Sequence, residues 1–230
     1  MNKYTQKLGY FSAWGILILT TLFIILLFLQ LFLNQETEWR PAITSYYRIE
    51  TSGGFLYDFC GFVFFLLTPL ILIIFNCFHD YASRSTRILS GIALSSIILS
   101  AVLRTLSYIS QFELRAFSIY AQSEETYLDH IYSLFEKIST SVTVMAVTVF
   151  MGLAELFIIP VFSGSNKIEK KIRITSFIAG IFNLLGALTF IVKKEGISAS
   201  FILVSLLFFT IFSILCIIFF SRFKSQVYEG

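Results

Sequence analysis

The sequence predicts an all-α fold, a polytopic membrane bundle of six transmembrane helices, and its composition and apolar runs support that prediction. Hydrophobic residues make up 57% of the 230-residue chain and charged residues only 13%. An average globular protein has roughly 25% charged residues. Six apolar runs are each long enough to cross a hydrocarbon layer of ~30 Å, which takes about 20 residues per helix. The runs lack the alternation of barrel strands, so the pattern does not indicate a β-barrel.

The six runs occupy most of the chain, and we predict a single transmembrane domain over residues 1–230. Backbone groups inside a bilayer must be satisfied within the segment, so each run is predicted to be a helix. The predicted spans cover residues 8–33, 54–77, 89–110, 138–162, 174–192 and 198–220. The first run is too long for a signal-peptide core and no small-residue cleavage site follows it, which indicates a retained anchor.

The distribution of basic residues predicts that both termini are cytoplasmic. With the amino terminus inside, ten Lys and Arg residues fall in the inner segments and six in the outer ones. Basic residues are retained on the cytoplasmic side of a membrane. We therefore predict a multi-pass protein of the bacterial cytoplasmic membrane. The net charge of +3 then reflects an inner collar that faces anionic lipid headgroups, and it does not indicate nucleic-acid binding.

Motifs for known chemistry are missing from the sequence. The cysteines Cys60, Cys77 and Cys216 fall inside spans without CxxC spacing, so neither a disulfide framework nor a zinc site is indicated. His79 and His130 lie on opposite sides, which argues against a haem or multi-histidine iron site. No HExxH, GxSxG or P-loop sequence occurs. The sequence therefore favours a non-enzymatic protein without a cofactor or metal.

Asp58 and Arg104 are charged residues inside predicted spans two and three. A charge at the centre of a spanning helix costs ~2.5–3.5 kcal/mol on insertion scales and usually faces the bundle interior with a partner. The two spans share a short connection, and counting along them at equal rise brings Arg104 level with residues 58–62. We predict an Asp58–Arg104 pair. It is interpreted as a structural pair, or as a ligand or proton site open to the outer face; alternatively, Arg104 extends to the headgroups alone.

Span three carries further polar residues on the same face as Arg104. Ser96, Ser100, Arg104 and Tyr108 recur at four-residue spacing, and Ser107 lies beside them. This spacing places all of them along one side of a helix. We predict that this polar face supports the Asp58–Arg104 pair and faces other helices of the bundle.

Glu155 is the other carboxylate inside a span, about two turns from the inner end of span four. Counting across the next short connection brings it level with residues 180–183 of span five. Asn183 can donate a hydrogen bond to a carboxylate, and Gly180 permits close helix packing. We predict a Glu155–Asn183 pair, for which a structural role and a functional role stay open.

Two longer outer connections, 34–53 and 111–137, are rich in aromatic residues. Such residues favour the headgroup level, so membrane-surface anchoring is the preferred interpretation, and a lid or a partner surface is the alternative. Residues 127–135 show an apolar helical stripe, which predicts a surface helix or an outward extension of span four.

The layout of the chain resembles an uncharacterised family of small bacterial membrane proteins with six spanning helices. The resemblance covers the spacing of spans two to five, Arg104 within span three, and the basic inner segment Lys167–Arg173. The proline and tryptophan with which that family enters span five are replaced here by residues 170–173. The resemblance implies a six-helix fold and brings no activity with it.

Two functions follow as expectations. The first is a non-enzymatic accessory, interaction or lipid-contacting module, whose partners are the lipid bilayer and a further membrane protein or a second copy of the chain. The second is a small-molecule or ion transporter or membrane sensor, in which Asp58–Arg104 and Glu155–Asn183 line a cavity. A cavity that reaches either pair would favour the second function, and a dry, closed bundle would favour the first.

Overall fold

A computed structural model describes residues 2–33, 54–120, 138–139, 141–164, 166–193 and 195–226. Most of these residues are helical and none of them belongs to a strand, which confirms the predicted fold class. The helices are α1 Lys3–Leu33, α2 Gly54–Tyr81, α3 Arg87–Tyr120, α4 Ser141–Val161, α5 Lys167–Ile191 and α6 Glu195–Gln226. All six contain a stretch long and apolar enough to cross a membrane, so the chain is a multi-pass membrane protein.

The six helices form a closed ring. Each helix packs against the next one in the sequence, and α6 returns to pack against α1. Hydrogen bonds identify one end of the ring, which we name the terminal end: Gln6 Nε2 donates to Phe220 O at 2.9 Å, and Thr5 Oγ1 donates to Asp80 Oδ2 at 3.1 Å. The helices therefore alternate in direction. The opposite end, which joins connections 34–53 and 121–137, is named the distal end.

Helix α3 is longer than the sequence predicted. The apolar span ends at Ser110, as expected, but the helix continues to Tyr120. The prediction of a loop beginning at residue 111 was therefore wrong for residues 111–120. Glu113 and Arg115 end the apolar run but leave the backbone free to stay helical, since hydropathy reports lipid compatibility and not helix formation. The predicted surface helix at residues 127–135 lies outside the described residues.

The turn between α5 and α6 is tight, and Lys193 there adopts a left-handed conformation with φ of 58°. Left-handed residues commonly end helices, where their amide satisfies a free carbonyl. The Lys193 amide donates to Phe190 O at 3.0 Å. This closes the turn, and α6 packs against α5 as an antiparallel neighbour.

The core is divided between the two ends. At the terminal end it consists of aromatic rings that pack edge-on or stacked around Phe78. We name this group the aromatic plug; its members are Phe78, Tyr81, Phe162, Phe212, Phe219 and Phe220. Towards the distal end the centre of the ring is not filled.

Candidate functional cavity

Arg104 lies inside the bundle. Its side chain is 7% exposed, and its guanidinium carbon is 3.9 Å from the centroid of the Phe64 ring on α2. A desolvated cation over an aromatic face is stabilised by about 2 kcal/mol. The side chain also borders a cavity between the helices. This position differs from the alternative in which Arg104 extends alone to the headgroups.

Asp58 lies in the second turn of α2, and its side chain lies outside the described part of the chain. Helices α2 and α3 are antiparallel neighbours, as the counting required. The Asp58–Arg104 pair itself stays a prediction.

The side chains on the polar face of α3 make three kinds of contact. Ser100 joins α3 to α4, since Ser100 Oγ donates to Ala146 O at 2.7 Å. Ser107 Oγ donates to Ser139 O at 3.0 Å, two residues before α4 begins. Ser96 Oγ donates to Ile92 O of its own helix at 3.0 Å. The Tyr108 ring stacks on Phe65 of α2, with centroids 5.2 Å apart. The face is thus mainly a contact surface between helices.

A π-helical turn, Ala146–Phe150, interrupts α4 beside the cavity. Such turns are rare and often occur at functional sites, because the wider turn changes which side chains and carbonyls face inward. Here Ala146 O accepts the hydrogen bond from Ser100, and Val147 lies on the cavity wall. Nothing in the sequence predicted this turn.

Glu155 and Asn183 are in contact. Asn183 Nδ2 donates to Glu155 Oε2 at 2.9 Å, and both residues are buried. Gly152 and Gly180 allow α4 and α5 to approach closely, since a Cβ added to Gly180 would lie 3.0 Å from Gly152 O. The short connection between the helices explains why counting along the sequence brought these residues to the same depth. The role of the pair stays a prediction.

A cavity of about 100 Å³ occupies the centre of the ring between the middle of the bundle and the level of Arg104. Its wall is almost wholly apolar. The wall residues are Phe23, Leu27, Phe64, Leu67, Ile71, Arg104, Thr143, Val144, Val147, Met151, Asn183, Ile202, Leu203, Ser205, Leu206 and Phe209. Arg104 is the one charged residue among these described wall residues. Asn183 belongs to the described wall, whereas Glu155 does not. The wall therefore contains one residue of each predicted pair, Arg104 and Asn183.

The terminal end carries a polar cluster that sequence reasoning missed. Glu169 on α5 accepts hydrogen bonds from the Gly164 amide at 2.9 Å and from the Tyr81 hydroxyl at 3.3 Å. Asn166 Oδ1 caps α5 by accepting from the Ile168 amide at 3.2 Å. An N-cap asparagine followed three residues later by a glutamate was a visible sign of this helix start. The cluster closes the terminal end beside the aromatic plug.

Within the described ranges, no group of three or more His, Cys, Asp or Glu residues could hold a metal ion. Comparison with known proteins adds no relative: no family model matches the chain, and no curated protein or solved structure matches it. The resemblance to the six-helix bacterial family therefore depends only on the residues given for it above.

Proposed function

We propose that the protein is a non-enzymatic membrane protein that binds a small molecule in its central cavity, as a transporter or a membrane sensor. The cavity is the observation that carries this proposal. A dry, closed bundle would have favoured a purely structural role for the buried polar residues. Instead, a space between all six helices borders both Arg104 and Asn183. Concave, mostly apolar sites with a few converging polar groups are typical of ligand binding.

The aromatic plug supports binding rather than conduction through an open pore. The cavity lies on the distal side of the plug, and Phe78, Phe162 and Phe220 are fully buried on the terminal side. A transporter would have to separate these rings to release its ligand at the terminal end. A sensor would need only a shift in helix packing, for which the π-helical turn of α4 is the irregular element closest to the cavity.

A second candidate is the accessory or lipid-contacting module, supported by the Glu155–Asn183 hydrogen bond. That bond lies at the closest approach of α4 and α5, where a polar contact fixes the position of one helix against the other. In this role the protein would act through its lipid-facing surface, on another membrane protein or on a second copy of itself.

We place the protein in the bacterial cytoplasmic membrane, with both termini in the cytoplasm and the distal end outside. The excess of basic residues in the segments at the terminal end supports this orientation. Ser85→Cys and Ser123→Cys variants of a cysteine-free chain test it in intact cells. A membrane-impermeant thiol reagent should label Ser123→Cys alone, and labelling of Ser85→Cys alone would reverse the orientation.

Thermal-shift screening against lipids and metabolites tests the proposed function. Purified wild-type protein is compared with the Arg104→Ala and Glu155→Ala variants. A ligand that raises the wild-type melting temperature, with the shift lost in a folded Arg104→Ala variant, supports binding in the cavity. Loss of folding in both variants without any ligand shift supports the accessory module instead.

A further inference from the structure

We infer that the cavity takes a short, uncharged alcohol of about four non-hydrogen atoms, whose hydroxyl group lies between Asn183 and Ser205. This inference depends on the proposed function and adds the chemical class of the ligand. Three observations carry it: the volume of the cavity, the hydrogen-bonding groups of its wall that have no partner, and the depth at which those groups lie.

The volume of the cavity sets the size of the ligand. An apolar cavity of roughly 150 Å³ in another protein holds benzene, with its six carbon atoms. The volume here is about 100 Å³. On the same scale this space takes about four non-hydrogen atoms, as in a propanol molecule, and it is too small for a benzene ring or a fatty acid.

Asn183 and Ser205 supply the polar groups that a ligand can use, and they are only 2% and 3% exposed. In the described part of the chain the Asn183 amide makes one hydrogen bond, from Nδ2 to Glu155, and its Oδ1 accepts none. The Ser205 hydroxyl has no hydrogen-bond partner among the described residues. Neither oxygen is sealed off as Thr68 Oγ1 is, so both open onto the cavity that their residues line. A ligand that supplies the missing hydrogen bonds is therefore favoured.

The other polar groups of the wall are already engaged. Arg104 lies against the Phe64 ring and has a further interaction. The Thr143 hydroxyl is hydrogen-bonded to Ser107. The described wall residues therefore offer neither an acidic side chain nor a cation without a partner. A charged ligand would lose its hydration here without gaining a counter-charge, so the wall favours an uncharged one.

Asn183 and Ser205 lie at the same depth on neighbouring helices. A Cβ added to Gly186 of α5 would lie 3.1 Å from Cγ1 of Ile202 on α6. The two helices are antiparallel, so one turn back along α5 and one turn forward along α6 lead to Asn183 and Ser205. One hydroxyl group can therefore serve both: it donates to Asn183 Oδ1 and accepts from Ser205 Oγ. A ketone or an ether has no proton to donate to Oδ1.

The rest of the wall requires an alkyl group rather than water alone. Ile71, Val147, Met151 and Leu206 are among the apolar residues that line it. A buried water needs polar partners on several sides, and apolar cavities stay dry. An alkyl group instead gains about fourfold in affinity for each methylene buried. A short alcohol satisfies the polar pair and fills the apolar remainder.

Fluorine NMR of fluoroethanol with the full-length protein in zwitterionic lipid nanodiscs tests the inference. Fluoroethanol has as many non-hydrogen atoms as propanol. The wild-type protein should broaden its fluorine signal, and unlabelled propanol should reverse the broadening by competition. Acetone, which is as large as propanol but has no hydroxyl proton, should compete about three- to tenfold more weakly. Equal competition by the two compounds would show that the hydroxyl group is not recognised.

The length of the alcohol separates binding in the cavity from solution in the lipid. Each added methylene strengthens partition into lipid about fourfold. Competition for the cavity should instead rise from methanol to propanol and be lost at hexanol, when the alcohols are compared at equal free concentration. Stronger competition by hexanol than by propanol would place the binding outside the cavity and overturn the inference.

Adjacent leucines of α6 provide the matched control for the site of binding. Leu206 lines the cavity, whereas Leu207 is 56% exposed on the outer surface. The Leu206→Trp substitution should abolish the broadening of the fluoroethanol signal by filling the cavity, and Leu207→Trp should behave like the wild type. Equal losses in both variants, or no loss in either, would place the alcohol outside the cavity and overturn the inference.

Two serines of α6 provide the matched control for the hydroxyl contact. Ser205 faces the cavity, whereas the buried Ser213 already donates to Phe209 O of its own helix at 2.9 Å. Ser205→Ala should weaken propanol binding about three- to tenfold, because one hydrogen bond is lost, and Ser213→Ala should leave it unchanged. Unchanged propanol binding in the Ser205→Ala variant would contradict the proposed position of the hydroxyl group.

The outcomes separate the ligand class from the proposed function. If acetone competes as well as propanol and Leu206→Trp abolishes the binding of both, the alcohol class is wrong and the cavity remains a binding site. If no alcohol binds at all, the inference is wrong. The proposed function then depends on the thermal-shift screen, which presumes no class of ligand. The comparisons of propanol with acetone and with hexanol use wild-type protein, so they do not require a folded variant.

Discussion

The terminal and distal halves of the bundle are made from the same six helices but differ in how their centre is filled. The terminal half contains the aromatic plug, and hydrogen bonds from Gln6 and Thr5 join the start of α1 to α6 and α2. The distal half contains the cavity and a buried arginine. Interiors of folded proteins are normally close-packed, so the unfilled centre of the distal half departs from the usual packing and the dense centre of the terminal half does not. The terminal half is densely packed, and the distal half contains an unfilled space.

The largest expected difference between the halves is the loss of stability when an aromatic ring is removed. Phe78 is fully buried and packs against four other rings of the plug. The Phe78→Ala variant should lose about 3–5 kcal/mol of stability, because truncation leaves a cavity among tightly packed neighbours. Phe23→Ala on the cavity wall is the control, and it should lose clearly less, because Phe23 already borders empty space. Denaturation in lipid bicelles measures both. Equal losses would remove the distinction between the halves.

A substitution that adds a methyl group, instead of removing a ring, also tests how densely the terminal half is packed. A Cβ at Gly9 would lie 2.5 Å from Cζ of Phe220, a plug residue that is fully buried. Gly9→Ala should therefore cost about 1–3 kcal/mol through overpacking. Gly91→Ala is the matched control, because Gly91 lies within α3 and the nearest atom to its Cβ is 3.8 Å away. That variant should be neutral or more stable by up to about 1 kcal/mol, through higher helix propensity. A neutral Gly9→Ala variant would mean that the plug is loosely packed.

The boundary between the halves contains the Glu155–Asn183 hydrogen bond. Asn183→Leu should destabilise the protein by about 1–3 kcal/mol, because the buried carboxyl loses its donor. Glu155→Gln should cost less, since an amide oxygen can accept the same bond. The Glu155→Leu/Asn183→Leu double variant should recover part of the loss, and thermal denaturation of all variants measures this coupling. Strictly additive effects would show that the contact is energetically irrelevant.

The smallest expected effect concerns the predicted Asp58–Arg104 pair. A double-mutant cycle with Asp58→Asn and Arg104→Gln should give a coupling energy of about 1 kcal/mol or more if the two side chains interact. Stability measurements on the wild type, the two single variants and the double variant supply the cycle. A coupling energy of zero would show that Asp58 does not interact with Arg104, and Asp58 would then not belong to the site.

The contacts that the sequence could predict are those set by short connections. Counting residues along α4 and α5 predicted the Glu155–Asn183 contact, because a connection of a few residues fixes which positions of two antiparallel helices lie at the same depth. The six spans followed from hydropathy, which responds to the lipid around the helices. Hydropathy predicted that the apolar span ends at Ser110. It could not predict the end of helix α3, which continues to Tyr120.

The cavity and the plug could not be predicted in the same way. Both depend on the summed size of side chains from all six helices at one depth. Phe78, Phe162 and Phe220 are far apart in the sequence and look like other phenylalanines of an apolar run. Which of 27 phenylalanines face the centre is decided by helix rotation, and an apolar helix in lipid carries little pattern to fix that rotation. The π-helical turn of α4 likewise has no sequence signal that separates it from its neighbours.

The most direct test compares two serines of α6 that lie on either side of the boundary. Ser205 belongs to the cavity wall, and Ser213 is completely buried in the terminal half. In a background without Cys60, Cys77 and Cys216, Ser205→Cys and Ser213→Cys variants are exposed to a small, water-soluble thiol reagent in nanodiscs. Ser205→Cys should react and Ser213→Cys should not. Equal reaction rates at the two positions would contradict a bundle that is open to a ligand in one half and sealed in the other.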